Sequence, residues 1–203
     1  IISNINFLFI IIYYMDTFVA FFLSVLIIFI LVQKIKNRDI VEVTSTIDNR
    51  KYICRKMPDA ALAANKLAVI NQKVKTLINH VDGKDKENID RLKKRYNPDK
   101  LSETGLGAEY TSYSVNKGEE ISICVRNTNN TFIDDNIIMF VVIHELAHII
   151  TISVGHKPEF WKNMKYLLEQ GNECNVYIPV DYSEHPTTYC GMDITSTPYE
   201  FKK

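Results

Sequence analysis

The sequence has no net charge, and basic residues are in no excess in any large part of it. The chain carries 24 Lys and Arg against 24 Asp and Glu in 203 residues. From residue 34 onward there are 24 basic and 23 acidic residues, a net charge of +1. Such a balance gives no general electrostatic attraction to the phosphate backbone of nucleic acids. We therefore do not expect nucleic acid as a partner.

Cysteines are also few. The chain has four, Cys54, Cys124, Cys174 and Cys190, which are far apart and form no CxxC pair. This spacing argues against a zinc knuckle and against a disulfide scaffold. The sequence therefore predicts reduced thiols in a cytosolic compartment.

The N-terminal part of the chain, residues 1–33, is hydrophobic and contains an uncharged apolar run, Phe18 to Val32. As a helix, Met15 to Val32 would measure about 27 Å, close to the thickness of a bilayer core. The run predicts a single transmembrane helix at about 15–32. Because the sequence begins with Ile1, we interpret Met15 as the initiator.

The charges beside this run predict its orientation. Lys34, Lys36 and Arg38 follow it directly, so the positive-inside rule puts the C-terminal domain on the cytosolic side of the membrane. A cleaved signal peptide is the alternative, but no basic region precedes the run and no small-x-small cleavage site follows it. The single glycosylation sequon, at Asn129, tests the orientation, because it would be modified only in the opposite topology.

After the run, residues 34–50 are polar and predict a juxtamembrane linker with room for one short strand, and residues 51–203 predict the folded domain. Asp59 is placed to cap an amphipathic helix that ends at Gly83, and a second helix is expected over residues 85–96. Basic residues of the second helix are interpreted as a solvated face, with a phosphate-binding patch as the alternative. They are Arg91, Lys93, Lys94 and Arg95.

Residues 99–110 predict a loop, and residues 111–115 and 121–126 predict the arms of a β-hairpin. One of these two strands is a candidate edge for binding a peptide backbone as an added strand. Pro158 to Gln170 predicts another amphipathic helix, followed by an extended tail from Gly171. The expected fold class is therefore α+β.

The most informative motif is HELAH, in which His144 and His148 stand four residues apart. On an α-helix this spacing brings two imidazoles to one metal ion. Glu145 projects beside the pair, where a carboxylate can take a proton from a zinc-activated water. The apolar residues 137–143 predict a buried helix, and Asp134 predicts its N-cap. The motif predicts two zinc ligands and a general base.

His156 is the candidate third ligand. If the helix continued, His156 would lie about 12 Å further along the axis than His148, too far to share one ion. The helix must therefore stop, and Gly155 is the expected stop, with Pro158 opening the next helix. Acidic alternatives for the third ligand remain open, and these are Glu159, Glu169 and Glu173.

The stretch HELAH…GHKPEFW resembles the small zincin-like zinc peptidases of the WLM and SprT-like group. The similarity covers about residues 134–168 and depends on His144, Glu145, His148, His156 and the pair Phe160-Trp161. It implies a compact α+β zinc metallopeptidase domain in which these aromatic residues pack behind the third ligand. With the predicted anchor, the chain resembles WLM-type proteins of large DNA viruses, which implies a host or virion membrane and a peptide or protein substrate.

Two other functions remain possible from the sequence. A CAAX-type membrane peptidase also carries HExxH, but it would need further membrane spans and a Glu as third ligand. A non-catalytic virion or scaffold module could use the same zinc for stability alone. Relatives in the group process proteins crosslinked to DNA, and the charge of +1 gives that substrate little support here.

Overall fold

The computed structural model describes residues 15, 18–32, 39–81, 86–106, 108, 111–115 and 119–201. The chain divides into two compact units, Ile1–Asp39 and Ile40–Lys203. In the first unit, residues 18–32 form a helix, α1, whose large apolar side chains are about half exposed. Within the described ranges, no helix is both long and apolar enough to cross a bilayer. The predicted span at about 15–32 includes residues outside those ranges and gains no support from the structure.

The second unit is an α+β domain, as the sequence predicts. Its elements are β1 (Ile40–Thr44), β2 (Lys51–Arg55), α2 (Ala60–His80), α3 (Lys86–Arg95), a 3₁₀ turn (Pro98–Lys100), β3 (Leu101–Glu103), β4 (Tyr113–Val115), β5 (Glu120–Ile123), α4 (Asp135–Ile150), α5 (Pro158–Glu173), β6 (Thr187–Tyr189) and β7 (Met192–Ile194).

The domain begins earlier than the predicted boundary at Lys51. β1 pairs antiparallel with β2, from Ile40 opposite Arg55 to Thr44 opposite Lys51. Residues 40–50 therefore form a strand and its turn within the compact unit, because β1 completes backbone hydrogen bonds that β2 would otherwise lack.

A three-stranded sheet of order β3-β5-β4 lies beside the site-bearing helices. β5 pairs antiparallel with β4, which confirms the predicted hairpin arms, while the predicted turn residues 116–118 lie outside the described part of the chain. β3 replaces part of the predicted loop at 99–110 and pairs parallel with β5. Three residues are too few to show alternation, so the sequence could not reveal β3. β4 is left as one edge of this sheet.

Helix α2 has the predicted amphipathic character, and its apolar face is fully buried. The buried residues include Leu67, Ile70, Val74 and Leu77. The helix ends at His80, and the predicted stop at Gly83 lies outside the described residues. Asp59 precedes the helix, but its side chain makes no capping hydrogen bond and instead accepts one from Arg126 Nη1 at 2.6 Å.

Arg126 is the centre of a buried polar network. Its guanidinium has no exposed surface, lies 4.2 Å from the ring centre of Phe132, and donates from Nε to Glu103 Oε1 at 2.9 Å. The second oxygen of Glu103 accepts a hydrogen bond from the backbone N–H of Arg55 at 2.7 Å. The network thus joins β2, β3, the start of α2 and the chain that follows β5.

The C-terminal tail is not simply extended, because residues 187–194 form the hairpin β6–β7. Cys190, at its turn, is joined by a disulfide bond to Cys124 after β5, with the Cα atoms 6.1 Å apart. The expectation of four reduced cysteines is therefore wrong for this pair, while Cys54 and Cys174 are free thiols. The two partners are 66 residues apart, so only folding brings them together.

Candidate metal centre

Helix α4 carries the HExxH motif on an almost wholly buried helix. The Asp134 carboxylate caps it by accepting a hydrogen bond from Asn136 N at 2.8 Å, as the sequence predicts. His144 and His148 lie one turn apart on the same face, with ring centres separated by 4.9 Å. The regular helix therefore presents two imidazoles side by side.

The helix ends at Ile150, five residues before the predicted stop at Gly155. The reason lies in polar groups that satisfy its last carbonyl oxygens. Thr151 Oγ1 donates to Ala147 O at 2.7 Å, and Arg91 Nη1, from α3, donates to Ile150 O at 3.0 Å. The sequence predicts Arg91 as part of a solvated basic face. In the structure, Arg91 instead caps the C-terminal end of α4.

The segment from Thr151 to His156 then turns back toward the helix. Gly155 has φ of +80°, so the predicted left-handed turn is present even though the helix ends earlier. Glu159 holds the segment by accepting hydrogen bonds from Ile152 N at 3.3 Å and Ser153 N at 3.4 Å. This turn returns His156 to the other two histidines.

The three imidazoles converge. His156 Nε2 lies 3.0 Å from His144 Nε2 and 3.2 Å from His148 Nε2. Ligand nitrogens about 2.05 Å from one zinc ion in tetrahedral geometry would lie roughly 3.3 Å apart. Within the described ranges, this is the one group of three or more His, Cys, Asp or Glu residues that could hold a metal ion.

The three acidic candidates for the third ligand have other partners in the structure. Glu159 binds the backbone of the 151–156 segment, Glu169 lies 3.9 Å from Lys165 Nζ, and Glu173 lies 3.5 Å from His80 Nε2. None of the three belongs to the histidine group. His185, from the tail, is not part of it either.

An aromatic side chain supports all three ligand candidates from behind. The Phe160 ring is completely buried, and its centre lies 4.8 Å from the ring of His144, 4.4 Å from that of His148 and 4.6 Å from that of His156. Phe160 is the packing anchor that the sequence predicts. Trp161 differs, because it is 42% exposed and lies beside His156 at 5.6 Å, with one face on a cavity.

Burial sets the charge states of two site residues. Glu145 is only 6% exposed, and desolvation raises its pKa to about 7. Burial, with smaller effects from His148 and His156, lowers the pKa of His144 to about 3. His144 is therefore a neutral nitrogen donor at neutral pH, and Glu145 titrates in the range where a carboxylate can both accept and return a proton.

The histidines and Glu145 lie in a cleft of about 400 Å³ between the 153–156 segment and β4 with its preceding residues. Ser114 and Ser153 also line the cleft, and their hydroxyl oxygens are shielded from solvent and have no hydrogen-bond partner among the described residues. No local sequence pattern indicates Ser153, because its position depends on the turn after α4. Ser114 lies on β4, which was one of the two predicted candidates for the substrate-binding strand.

Comparison with known proteins agrees with this arrangement. A protein of Acanthamoeba polyphaga mimivirus, "Uncharacterized protein R325", is 30% identical over 196 residues, which cover 89% of this chain and 97% of the viral protein. "Uncharacterized protein 136R" of Invertebrate iridescent virus 6 is 28% identical over 80 residues, 38% of this chain and 44% of that protein. No solved structure gives a significant match.

The sequence profile of the WLM domain matches residues 47–188, which contain all four predicted site residues. The match covers most of the chain and most of the compact unit that begins at Ile40. The chain belongs to the WLM domain family, a family of metallopeptidase-like proteins linked to zinc binding.

Proposed function

We propose that this protein is a zinc-dependent peptidase, in which His144, His148 and His156 hold the metal and Glu145 acts as general base. The observation that carries the proposal is the convergence of three Nε2 atoms beside a buried carboxylate. Three imidazole nitrogen donors suit zinc and leave a coordination position open, as in catalytic zinc sites. The donor set therefore fits the metal to which the family is linked.

A bound zinc ion would supply Lewis acidity, which lowers the pKa of water and polarises a carbonyl group. Glu145 would take the proton of the attacking water and deliver it to the nitrogen of the broken peptide bond. Its buried position beside the three imidazoles places the carboxylate where it could reach a water held at that site. The packing of Phe160 against all three rings would hold the ligands in place.

The substrate would lie along β4. This strand is an edge of its sheet, and its residues Tyr113 and Ser114 line the cleft that contains Glu145. An edge strand offers free backbone groups to an extended peptide.

Zinc content and hydrolysis together test the proposal. The purified full chain, loaded with zinc and desalted, should contain about one zinc by mass spectrometry and should cleave an unfolded protein substrate. His156→Ala should lose most of the zinc, whereas the matched control His185→Ala, an exposed histidine outside the group, should keep it. Zinc retained in His156→Ala but lost in Glu159→Ala would overturn the assigned third ligand.

Glu145→Gln separates catalysis from metal binding. The variant should retain zinc and lose hydrolysis, because the amide cannot take the proton of the water. Full hydrolysis in this variant would remove Glu145 from the mechanism. If the wild-type protein binds zinc and gains thermal stability but cleaves no substrate, the non-catalytic, zinc-stabilised function is favoured instead.

The membrane location predicted from residues 15–32 and the cytosolic orientation stay predictions. Carbonate extraction of the expressed chain tests the anchor. An endoglycosidase-sensitive mobility shift that disappears in Asn129→Gln would show that the predicted orientation is wrong.

A further inference from the structure

A second cavity, of about 340 Å³, adjoins the β4 cleft at Glu145. Ser112, His144 and Glu145 line both spaces, so the proposed general base stands at their junction. A chain bound across Glu145 would therefore place one of its side chains in this second cavity. The volume lies in the range of about 300–1,000 Å³ that is usual for binding sites.

Half of the residues that line this cavity are apolar or aromatic, and they supply most of its accessible wall. Helix α4 contributes Phe140 and Val141, and helix α5 contributes Trp161 and Met164. The hairpin β6–β7 with the two residues after it, and the two residues before β4, close the remaining sides. Apolar side chains are most favourable in such a space, because they leave water without losing hydrogen bonds.

The hairpin contributes apolar surface. Met192 is 53% exposed and Ile194 is partly buried, and both lie on the same face of β7, because side chains alternate along a strand. None of the described residues that line the cavity is Lys or Arg, so an acidic side chain would find no basic partner there.

The hairpin wall is fixed in position by bonds to the sheet. The hydroxyl of Tyr189, on β6, accepts a hydrogen bond from Cys124 N at 2.8 Å and lies 2.7 Å from Ser112 Oγ. The Cys124–Cys190 bond joins the hairpin turn to the same place. The cavity is therefore formed before any ligand binds, which reduces the entropy lost on binding.

From these observations we propose that the cavity is a specificity subsite, which binds a bulky apolar side chain, such as Leu, Met or Phe, next to the bond that is cleaved. The inference rests on the proposed peptidase function. It names the class of substrate: polypeptide segments with a large apolar residue beside the cleavage point, such as those exposed in unfolded proteins.

Binding can be measured without zinc and without hydrolysis, because Trp161 is the single tryptophan of the chain and lines the cavity. The probes are acetylated and amidated pentapeptides, Ala-Ala-X-Ala-Ala, with X as Leu, Phe, Ser or Asp. The Leu and Phe peptides should shift the emission of Trp161 and bind at least tenfold more tightly than the Ser and Asp peptides. Equal affinities, or no response of Trp161 to any peptide, would overturn the subsite.

Two variants in the cavity and one control outside it test whether the peptide preference comes from this cavity. Met192→Asp and Ile194→Asp should each abolish the preference for Leu and Phe, and both positions are at least partly exposed, so folding should survive. Leu62→Asp changes an apolar residue on α2 that is about as exposed as Met192 and does not line the cavity, and it should leave the preference intact. A preference that persists in both cavity variants would contradict the proposal.

A cleavage assay tests whether the cavity determines where a peptide is cut. The zinc-loaded full chain is incubated with a mixed peptide library, and cut sites are mapped by mass spectrometry. Enrichment of Leu, Met and Phe on one side of the cut bond, lost in Met192→Asp, is the expected result. Cleavage without this enrichment refutes the subsite alone, whereas the absence of all cleavage refutes the peptidase function and leaves the Trp161 measurement to decide on the cavity.

Discussion

Replacing Glu103 by glutamine should destabilise the domain severely, although the two side chains are nearly identical in shape. Neither Glu103 nor Arg126 exposes any side-chain surface, and Glu103 accepts from both Arg126 Nε and Arg55 N. The variant would put an NH₂ group against one of these donors and leave the buried guanidinium without its buried counter-charge. Breaking a buried ion pair in this way costs about 3–5 kcal/mol.

We expect the lower part of that range, about 3 kcal/mol, because Asp59 still pairs with Arg126 at 2.6 Å from a partly exposed position. The matched control is Glu42→Gln on β1. Glu42 also pairs with a basic residue, Lys51, at 2.7 Å, but the two side chains are 58% and 68% exposed. Solvent screens an exposed pair of this kind, so the control should change stability little.

The assay is urea unfolding of the full chain, followed by far-UV circular dichroism, with the free energy of unfolding taken from linear extrapolation. Glu103→Gln should lower the midpoint with an unchanged slope, and Glu42→Gln should match the wild type. A loss below about 1 kcal/mol in Glu103→Gln, equal to that of the control, would refute the view that the Arg126 network holds β2, β3 and α2 together.

Three further variants test the supports of the site. Phe160→Ala removes the ring behind all three histidines and should cost about 3–5 kcal/mol in urea unfolding. It should also weaken zinc binding in a competition titration, and unchanged affinity would show that the ring packing does not hold the ligands. Gly155→Ala meets no atom within 4 Å of the new Cβ, so its cost should be only the backbone strain at φ +80°, about 1–2 kcal/mol. A much larger loss would point to a displaced turn. For Asp59, the hydrogen bond from Arg126 lowers the carboxyl pKa below 3.8, so its stabilising effect is present above that value and is lost as the pH falls through the lowered pKa. Wild type and Asp59→Asn should therefore differ in unfolding free energy at pH 7 and converge in acid, and a constant difference across pH would contradict the ion pair.

Sequence patterns were sufficient where the information is local and periodic. The spacing of His144 and His148, the cap at Asp134 and the apolar face of α2 each follow from helix geometry within a few residues, and the structure contains all three. The left-handed turn at Gly155 also follows from the sequence, because glycine takes positive φ without steric cost.

The tertiary structure alone decided the features that depend on residues far apart in the chain. α4 ends at Ile150 because Arg91, 59 residues earlier, donates to its last carbonyl. The Cys124–Cys190 bond, the strand β3 and the cavity beside Glu145 need partners from separate elements, and no local pattern encodes such partners. The sequence by itself determined which residues could bind zinc and move a proton. The fold decided that His156 lies within 3.2 Å of the other two imidazole nitrogens, because convergence depends on where the chain turns and on what packs behind it.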